Sequence, residues 1–193
     1  GQFSSNPNDP MSRLIEFKQM VEGYHENNIR LIVDVVYNHM YDYNKAAFEA
    51  CVPNYFFRKR PNGTPAMASG CGNDFASERK MARKAIVDSV VHLVDVFNID
   101  GMRFDLMGLI DTETMNQAYE ACAAINADTL FVGDGWNMYN GKAGTDGMEQ
   151  KQVTKTDNIA VFNDELRDAF FKTVEFTVAG NKTIDVVLKR PYG

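Results

Sequence analysis

The chain has 193 residues, of which 45% are hydrophobic and 24% are charged, and its formal net charge is −6. These values are typical of a globular domain with a substantial core. The negative charge provides no basic surface for nucleic acid, and no run of 18 apolar residues predicts a membrane span, so we expect neither partner. The three cysteines, Cys51, Cys71 and Cys122, lack zinc spacing, and the compartment stays open between cytoplasmic and secreted.

The first predicted elements are a helix and a strand. Asp9 followed by Pro10 is typical of a helix N-cap and first helical residue, and apolar residues then recur at helical spacing up to Asn27. The next segment, IRLIVDVVY (29–37), is short, β-branched and continuously apolar. This pattern predicts a strand that is covered on both faces, as in a parallel sheet.

A long excursion follows the first strand, from residue 38 to residue 77. It contains three prolines and several glycines, and it shows no apolar periodicity. Structureless loops longer than about 12 to 15 residues are uncommon and usually functional. We therefore predict a long functional loop over 38–77.

The helix and strand pattern then repeats. Apolar spacing predicts a second helix up to residue 97 and a strand within DGMRFD (100–105), then a third helix over 115–125 and a strand within TLFVGD (129–134). A glycine-rich loop and a fourth helix, opened by FNDELRDAFF (162–171), complete the series. Such alternation requires a parallel sheet, either closed as a (β/α)8 barrel or open and doubly wound. Because a barrel needs about 250 residues, a barrel would make this chain a fragment containing only its middle portion.

Unusual polar and aromatic residues cluster at the carboxyl ends of the three strands, where both architectures bind ligands. They are Asp34, Asn38 and His39 on the first strand, Arg103 and Asp105 on the second, and Asp134, Trp136 and Asn137 on the third. Asp105 and Asp134 are 29 residues apart, close to one βα unit. Their carboxylates should therefore lie about 5 to 6 Å apart on neighbouring strands, which suits the roughly 5 to 5.5 Å of a retaining glycosidase.

Each of these residues also has a structural interpretation. Arg103 lies on the same strand face as Asp105 and would keep a nucleophile ionised, but it could equally form a structural ion pair. His39 could contact a sugar hydroxyl or make a structural hydrogen bond, and Trp136 could stack on a sugar or pack in the core. A calcium ion at Asp34 or Asn38 would need more oxygen ligands than the sequence assembles, so we expect no metal and no cofactor.

With these residues the chain resembles the alpha-amylase superfamily, glycoside hydrolase family thirteen, and most closely its type I pullulanases. Three ordered segments are similar to signature regions of that family: DVVYNH (34–39), GMRFDLMGLID (101–111) and VGDGW (132–136). Four connecting segments are similar to pullulanases in particular: SGCGND (69–74), ASERKMARKAIVDSV (76–90), ETMN (113–116) and VFNDELRDAF (161–170).

The resemblance implies a (β/α)8 barrel whose strands three to five lie in this chain, with residues 1–193 forming a partial catalytic domain. It also implies hydrolysis of α-1,6-glucosidic branch linkages in pullulan, amylopectin or glycogen, with retention of configuration. The implied partners are an α-glucan and the remainder of the parent barrel. The implied roles are nucleophile for Asp105, its orientation for Arg103, sugar contacts for Asn38, His39, Trp136 and Asn137, and the neighbouring floor for Met107 and Gly108.

Two departures from the family pattern predict weak catalysis. The family's third region is Gly-Glu-Gly-Trp with glutamate as general acid/base, whereas Asp134 is one methylene shorter, and aspartate has the lower reference pKa, about 3.9 against 4.3. The fourth region, with a third catalytic aspartate, would lie beyond Gly193, and the tyrosine-rich pullulanase signature before Gly1. We therefore expect an impaired enzyme and no activity from the chain alone.

Three alternatives remain at this point. One is an amylase or neopullulanase of the same superfamily that cleaves α-1,4 bonds. Another is a degenerate barrel that binds glucan without cleaving it, which Asp134 favours. The last is an open flavodoxin-like domain that binds phosphate, which we rank lowest because no glycine-rich loop joins a strand to a helix start in the required way.

Overall fold

The computed structural model describes residues 4–171, 174–179 and 183–188. It divides into two compact units, Gly1–Val161 and Phe162–Gly193. In chain order, the elements of the first unit are α1 (Pro10–Glu26), β1 (Ile32–Val35), β2 (His39–Met40), α2 (Ala47–Cys51), β3 (Asn73–Asp74), α3 (Lys80–Phe97), β4 (Gly101–Phe104), α4 (Thr112–Ala123), β5 (Leu130–Gly133) and β6 (Ile159–Val161).

Four strands of the first unit form one parallel sheet, in the order β1-β4-β5-β6. The register places Asp34 beside Arg103 and Phe104 beside Gly133. All four strands therefore end at the same edge of the sheet. The predicted parallel α/β alternation is confirmed by this arrangement.

Local signals position the helices as predicted. The Asp9 side chain caps α1 by accepting from the Met11 N–H at 3.0 Å, and Pro10 is the first helical residue. Asp111 caps α4 in the same way, accepting from the Thr114 N–H at 2.9 Å. These caps satisfy backbone donors that the first helical turn leaves unpaired.

Two strand predictions need correction. We expected β1 to be covered on both faces, but Ile32 and Asp34, which share one face, are exposed, whereas Val35 on the other face is buried. We expected three strands, but β6 pairs with β5 as a fourth parallel strand. Its three residues are too few to show the periodicity from which the longer elements were predicted.

The segment from 38 to 77, predicted as a long loop, carries secondary structure of its own. It contains the antiparallel pair β2 and β3 and the short helix α2. Phe57 and Phe75 are buried and meet edge to face, with ring centroids 5.6 Å apart. Both rings belong to the same hydrophobic core as Ile86 and Phe104, so hydrophobic packing joins this segment to the rest of the first unit.

The core of the first unit lies between the sheet and its helices. Its fully buried members include Ile86 on α3, Met102 and Phe104 on β4, Met115 on α4 and Phe131 on β5. The rings of Phe104 and Phe131 lie 4.9 Å apart across adjacent strands. No helix in the described ranges is both long and apolar enough to cross a bilayer.

The second unit contains α5 (Asp164–Phe171) and a hairpin of β7 (Val174–Ala179) and β8 (Thr183–Leu188). The predicted fourth helix is thereby confirmed. Within α5, Arg167 pairs with Asp164 one turn away at 2.7 Å. Such exposed pairs stabilise a helix by only about 0.3 to 0.5 kcal/mol.

Candidate active site

Two carboxylates converge at the carboxyl ends of neighbouring strands. Asp105 directly follows β4 and Asp134 directly follows β5, and the residues before them, Phe104 and Gly133, are paired in the sheet. The Asp105 N–H donates to the Val35 carbonyl at 3.0 Å, so the ladder to β1 continues through this residue. The backbone register thus brings the two aspartates side by side.

One guanidinium joins three acids at this point. Arg103 Nη1 donates to Asp34 Oδ1 at 2.9 Å and to Asp105 Oδ1 at 3.1 Å, while its Nη2 donates to Asp134 Oδ2. We define this group, Asp34, Arg103, Asp105 and Asp134, as the Arg103 cluster. A single cation facing three carboxylates leaves the cluster with net negative charge.

The protonation of Arg103 reflects this surplus of acid. Burial by itself lowers the pKa of the guanidinium, but hydrogen bonds to Asp34 and Asp134 and their negative charges raise it overall. Arginine keeps its proton in proteins in any case. Arg103 is therefore a permanent positive charge that orients each of the carboxylates around it.

Asn38 also fixes the position of Asp105. Its side-chain amide donates to the Asp105 carbonyl at 2.6 Å and to Asp105 Oδ2 at 3.2 Å, and Asn38 is almost fully buried. The other end of the amide accepts from the His39 ring at Nδ1. His39 thus makes the structural hydrogen bond that we weighed against a sugar contact, and its Nε2 is left for other partners.

Asp134 is more buried than Asp105. It is 7% exposed, and besides Arg103 its Oδ2 accepts from the Leu106 N–H at 3.2 Å. Leu106 reaches this position with φ of +45°, a left-handed conformation that costs a branched residue roughly 1 to 2 kcal/mol. The two donors direct this carboxylate oxygen toward the protein.

The remaining predicted site residues surround this point. Trp136 is 42% exposed and Asn137 is exposed, so neither packs in the core. Met107 is fully buried, and it packs against the position where Gly133 would carry a Cβ, so it lies beneath the surface rather than on it. A Cβ at Gly108 would lie 1.9 Å from the Trp136 carbonyl oxygen, which is why this turn requires glycine.

Sequence reasoning missed two residues of the site. Asp34 was weighed only as a calcium ligand, although its register opposite Arg103 makes it an ion-pair partner. Leu106 carried no signal, because a left-handed leucine cannot be read from its residue type. Within the described ranges, the Arg103 cluster included, no three His, Cys, Asp or Glu side chains are grouped so as to hold a metal ion. The lack of a cofactor stays a prediction.

The chain is similar to known proteins over most of its length. No model of a protein family matches it. The pullulanase of Bacillus subtilis (strain 168) is 40% identical over 169 residues, which cover 88% of this chain and 24% of that protein. A pullulanase from Anoxybacillus sp. LM18-11 complexed with maltotetraose has a TM-score of 0.84 at 40% identity, over 88% of this chain and 25% of that one.

A type I pullulanase from Bacillus subtilis str. 168 complexed with maltose gives the same TM-score, 0.84, at 40% identity. This match covers 88% of our chain and 24% of that protein. The chain thus spans about a quarter of the length of the proteins it matches. The predicted fold class is confirmed: the chain is an α/β unit with a parallel sheet, and it corresponds to a portion of a catalytic barrel.

Proposed function

We propose that the parent protein of this chain is a retaining glycoside hydrolase. The reason is that the chain is a relative of the type I pullulanases of the alpha-amylase superfamily and corresponds to one part of them. Its substrate is the α-1,6-glucosidic branch linkage of pullulan, amylopectin or glycogen. The observation that carries the proposal is the convergence of Asp105 and Asp134 on one guanidinium. A retaining mechanism needs two carboxyl groups at such close range.

The first half of the reaction requires a nucleophile and an acid. An Asp105 oxygen attacks the anomeric carbon while the bond to the leaving sugar oxygen breaks, and that oxygen takes a proton from the carboxyl group at position 134. The product is a glycosyl ester on Asp105. Arg103 and Asn38 support this role, because they hold Asp105 in place.

The second half returns both groups to their starting state. The carboxylate at position 134 takes a proton from water, and the water oxygen attacks the anomeric carbon as its bond to Asp105 breaks. Two inversions give retention. The positive charge that develops on the sugar in both transition states is favoured by the net negative charge of the Arg103 cluster.

We further propose that Asp134 impairs the first half-reaction. Its Oδ2 accepts from Arg103 and from the Leu106 N–H, and these two donors direct that oxygen toward the protein. Its side chain is also one methylene shorter than that of the glutamate which the family has here. A misplacement of about 1 Å in a catalytic group costs roughly 100-fold in rate.

Restoring the methylene in the full-length protein tests this impairment. We expect Asp134→Glu to raise turnover of pullulan about 100-fold, measured as release of reducing sugar. Asp146→Glu is the matched control, since Asp146 lies in the loop after β5 and pairs with Lys155 on the surface, and it should change nothing. Turnover of Asp134→Glu no faster than that of its parent would contradict the proposal.

The products distinguish the enzyme classes. Maltotriose released from pullulan supports cleavage of α-1,6 bonds, whereas random cleavage of starch indicates an amylase of the same superfamily. The hold of Arg103 on Asp134 also favours a second candidate, a barrel that binds glucan without cleaving it. That candidate predicts that the protein binds maltotriose but does not cleave glucan, even after Asp134→Glu. It also predicts no turnover of a glycosyl fluoride, a substrate whose leaving group needs no acid.

A further inference from the structure

A basic cavity that shares no lining residue with the Arg103 cluster lies among the segments that follow β1 and β5. Its volume is about 430 Å³. It is lined by Arg58, Lys59, Glu78, Arg79, Asn140, Gly141 and Lys142. These residues come from the segment after β1, the start of α3 and the loop after β5. We call this space the basic cavity.

The floor of the basic cavity is electrically neutral. The side chains of Arg58 and Glu78 are 3% and 7% exposed, and they pair at 2.8 Å. Arg58 also donates to the Leu109 carbonyl at 2.9 Å and to Asn140 Oδ1 at 3.1 Å. This arginine is therefore fully engaged with the protein, and it cancels the one acid that lines the cavity.

Three further cations line the basic cavity without a carboxylate partner. In the part of the chain that the structure describes, no acid pairs with Lys59, Arg79 or Lys142. Arg79 uses Nη1 for the Asn54 and Tyr55 carbonyls, which leaves Nε and Nη2 to donate elsewhere. Lys142 has no side-chain hydrogen bond there. In a chain of net charge −6, these three positive charges form a local surplus that favours an anion.

The surrounding backbone adds to the positive potential. Arg79 is the N-cap of α3 and gives its helix no side-chain cap, and the first turn of α3 contains no acid. A helix N-terminus carries a partial positive charge that favours anions. The contribution of the helix N-terminus to the positive potential is smaller than that of the side chains, but it has the same sign.

We propose that the basic cavity binds a phosphate group. A phosphate monoester carries a charge of about −1.5 to −2 and three strong acceptor oxygens. These match the remaining donors of Arg79, those of Lys142, and those of Lys59 that its hydrogen bond to Asn54 Oδ1 leaves over. Unmodified glucan is uncharged, so the site is distinct in chemistry from the cleft proposed above and does not depend on that function. The phosphate is either free or esterified to a sugar, and the cavity is large enough for both.

The missing part of the parent protein is a poorer occupant. The strands that would extend the sheet must add beside β1 or β6, which are its outer strands. The basic cavity instead lies among the segments that follow β1 and β5, the two strands that flank β4. An acidic side chain from elsewhere in the parent is nevertheless included among the outcomes of the test.

The experiment measures binding to the full-length protein by calorimetry at low salt. The probes are inorganic phosphate, glucose 6-phosphate and glucose. We expect both phosphates to bind and glucose not to bind in this cavity. Lys142→Gln should weaken phosphate binding about 10-fold, and Lys142→Glu more than that, because one charge-assisted hydrogen bond is lost. Lys84→Gln, an equal charge change on the exposed face of α3, should leave binding unchanged.

Each result decides the proposal. Glucose 6-phosphate binding tighter than inorganic phosphate identifies a phosphorylated sugar as the ligand, and equal binding identifies free phosphate. Absence of phosphate binding at millimolar concentrations would overturn the proposal. So would equal effects of Lys142→Gln and Lys84→Gln, or a destabilising Lys142→Glu without phosphate binding, which indicates a carboxylate of the parent protein in the cavity.

Discussion

Arg58 and Arg103 are two of the arginines of the first unit that pair with acids, and their surroundings differ. Arg58 is almost completely buried, and its one carboxylate partner, Glu78, is buried with it. Arg103 is 28% exposed and contacts three carboxylates that come from three strands. The remaining N–H groups of Arg58 donate to neutral acceptors, such as the Leu109 carbonyl and the side-chain oxygen of Asn140.

The difference separates a structural ion pair from a candidate catalytic one. A buried one-to-one pair is neutral and satisfied, and removing either member leaves an uncompensated charge. A cation with three acids at the surface is not neutralised one to one, and the surplus carboxylates are available for chemistry. Charge balance and exposure, rather than the presence of an ion pair, thus distinguish Arg103 as the candidate for a functional role.

We expect separation of the chain from its parent protein to have the largest effect, because it should remove both the stability that depends on Arg58 and the activity that depends on Arg103. In the described sheet, β1 and β6 each have a neighbour on one side only, and unpaired strand edges are prone to aggregate. We expect the 193-residue chain alone to show no cooperative thermal transition and to release no reducing sugar from pullulan. A cooperative melt together with such release would contradict this prediction.

Removing one acid partner should mainly lower activity at Arg103 and mainly lower stability at Arg58. In the full-length Asp134→Glu protein, Asp105→Asn should lower turnover about 10⁴-fold or more while the unfolding temperature stays close to that of the parent, because a catalytic group is lost. Glu78→Gln should lower the free energy of unfolding by about 3 to 5 kcal/mol, since it leaves Arg58 buried and unpaired. Steady-state kinetics and urea unfolding measure the two effects. If Asp105→Asn proves the more destabilising of the two, the comparison fails.

Removing the arginines themselves gives a smaller contrast in stability. Arg58→Met should cost about 3 to 5 kcal/mol in the free energy of unfolding, whereas Arg103→Met should cost about 1 kcal/mol or less, because its pairs are partly exposed. Salt sharpens the contrast. Unfolding measured in 1 M sodium chloride should reduce the cost of Arg103→Met and leave that of Arg58→Met unchanged. Equal salt dependence would show that the two arginines have similar environments.

Much of the first unit could be predicted from local patterns. The Asp9 cap, the apolar spacing of α3 and the β-branched run of β1 predicted their elements because each signal lies within a few residues of sequence. The separation of Asp105 from Asp134 predicted their convergence, since one βα unit returns the chain to the next strand. The catalytic roles assigned to them stay predictions.

The remaining features could not be predicted because they depend on distant parts of the chain. Arg58 contacts Glu78 and the Leu109 carbonyl only because the segment 38–77 packs against the rest of the first unit. The left-handed Leu106 depends on how the turn after β4 fits beside Asp134. Neither residue carries a local signal for such contacts.

The order of the longer helices and of β1, β4 and β5, and the placement of Asp105 and Asp134 at strand ends, follow from the sequence by itself, because periodicity, caps and repeat length are local properties of the chain. The tertiary structure alone decided which acids share the Arg103 guanidinium, how Asp134 is held and where unpaired cations gather. These features depend on strand register and on side chains far apart in sequence, and only the packed fold brings them within hydrogen-bonding distance.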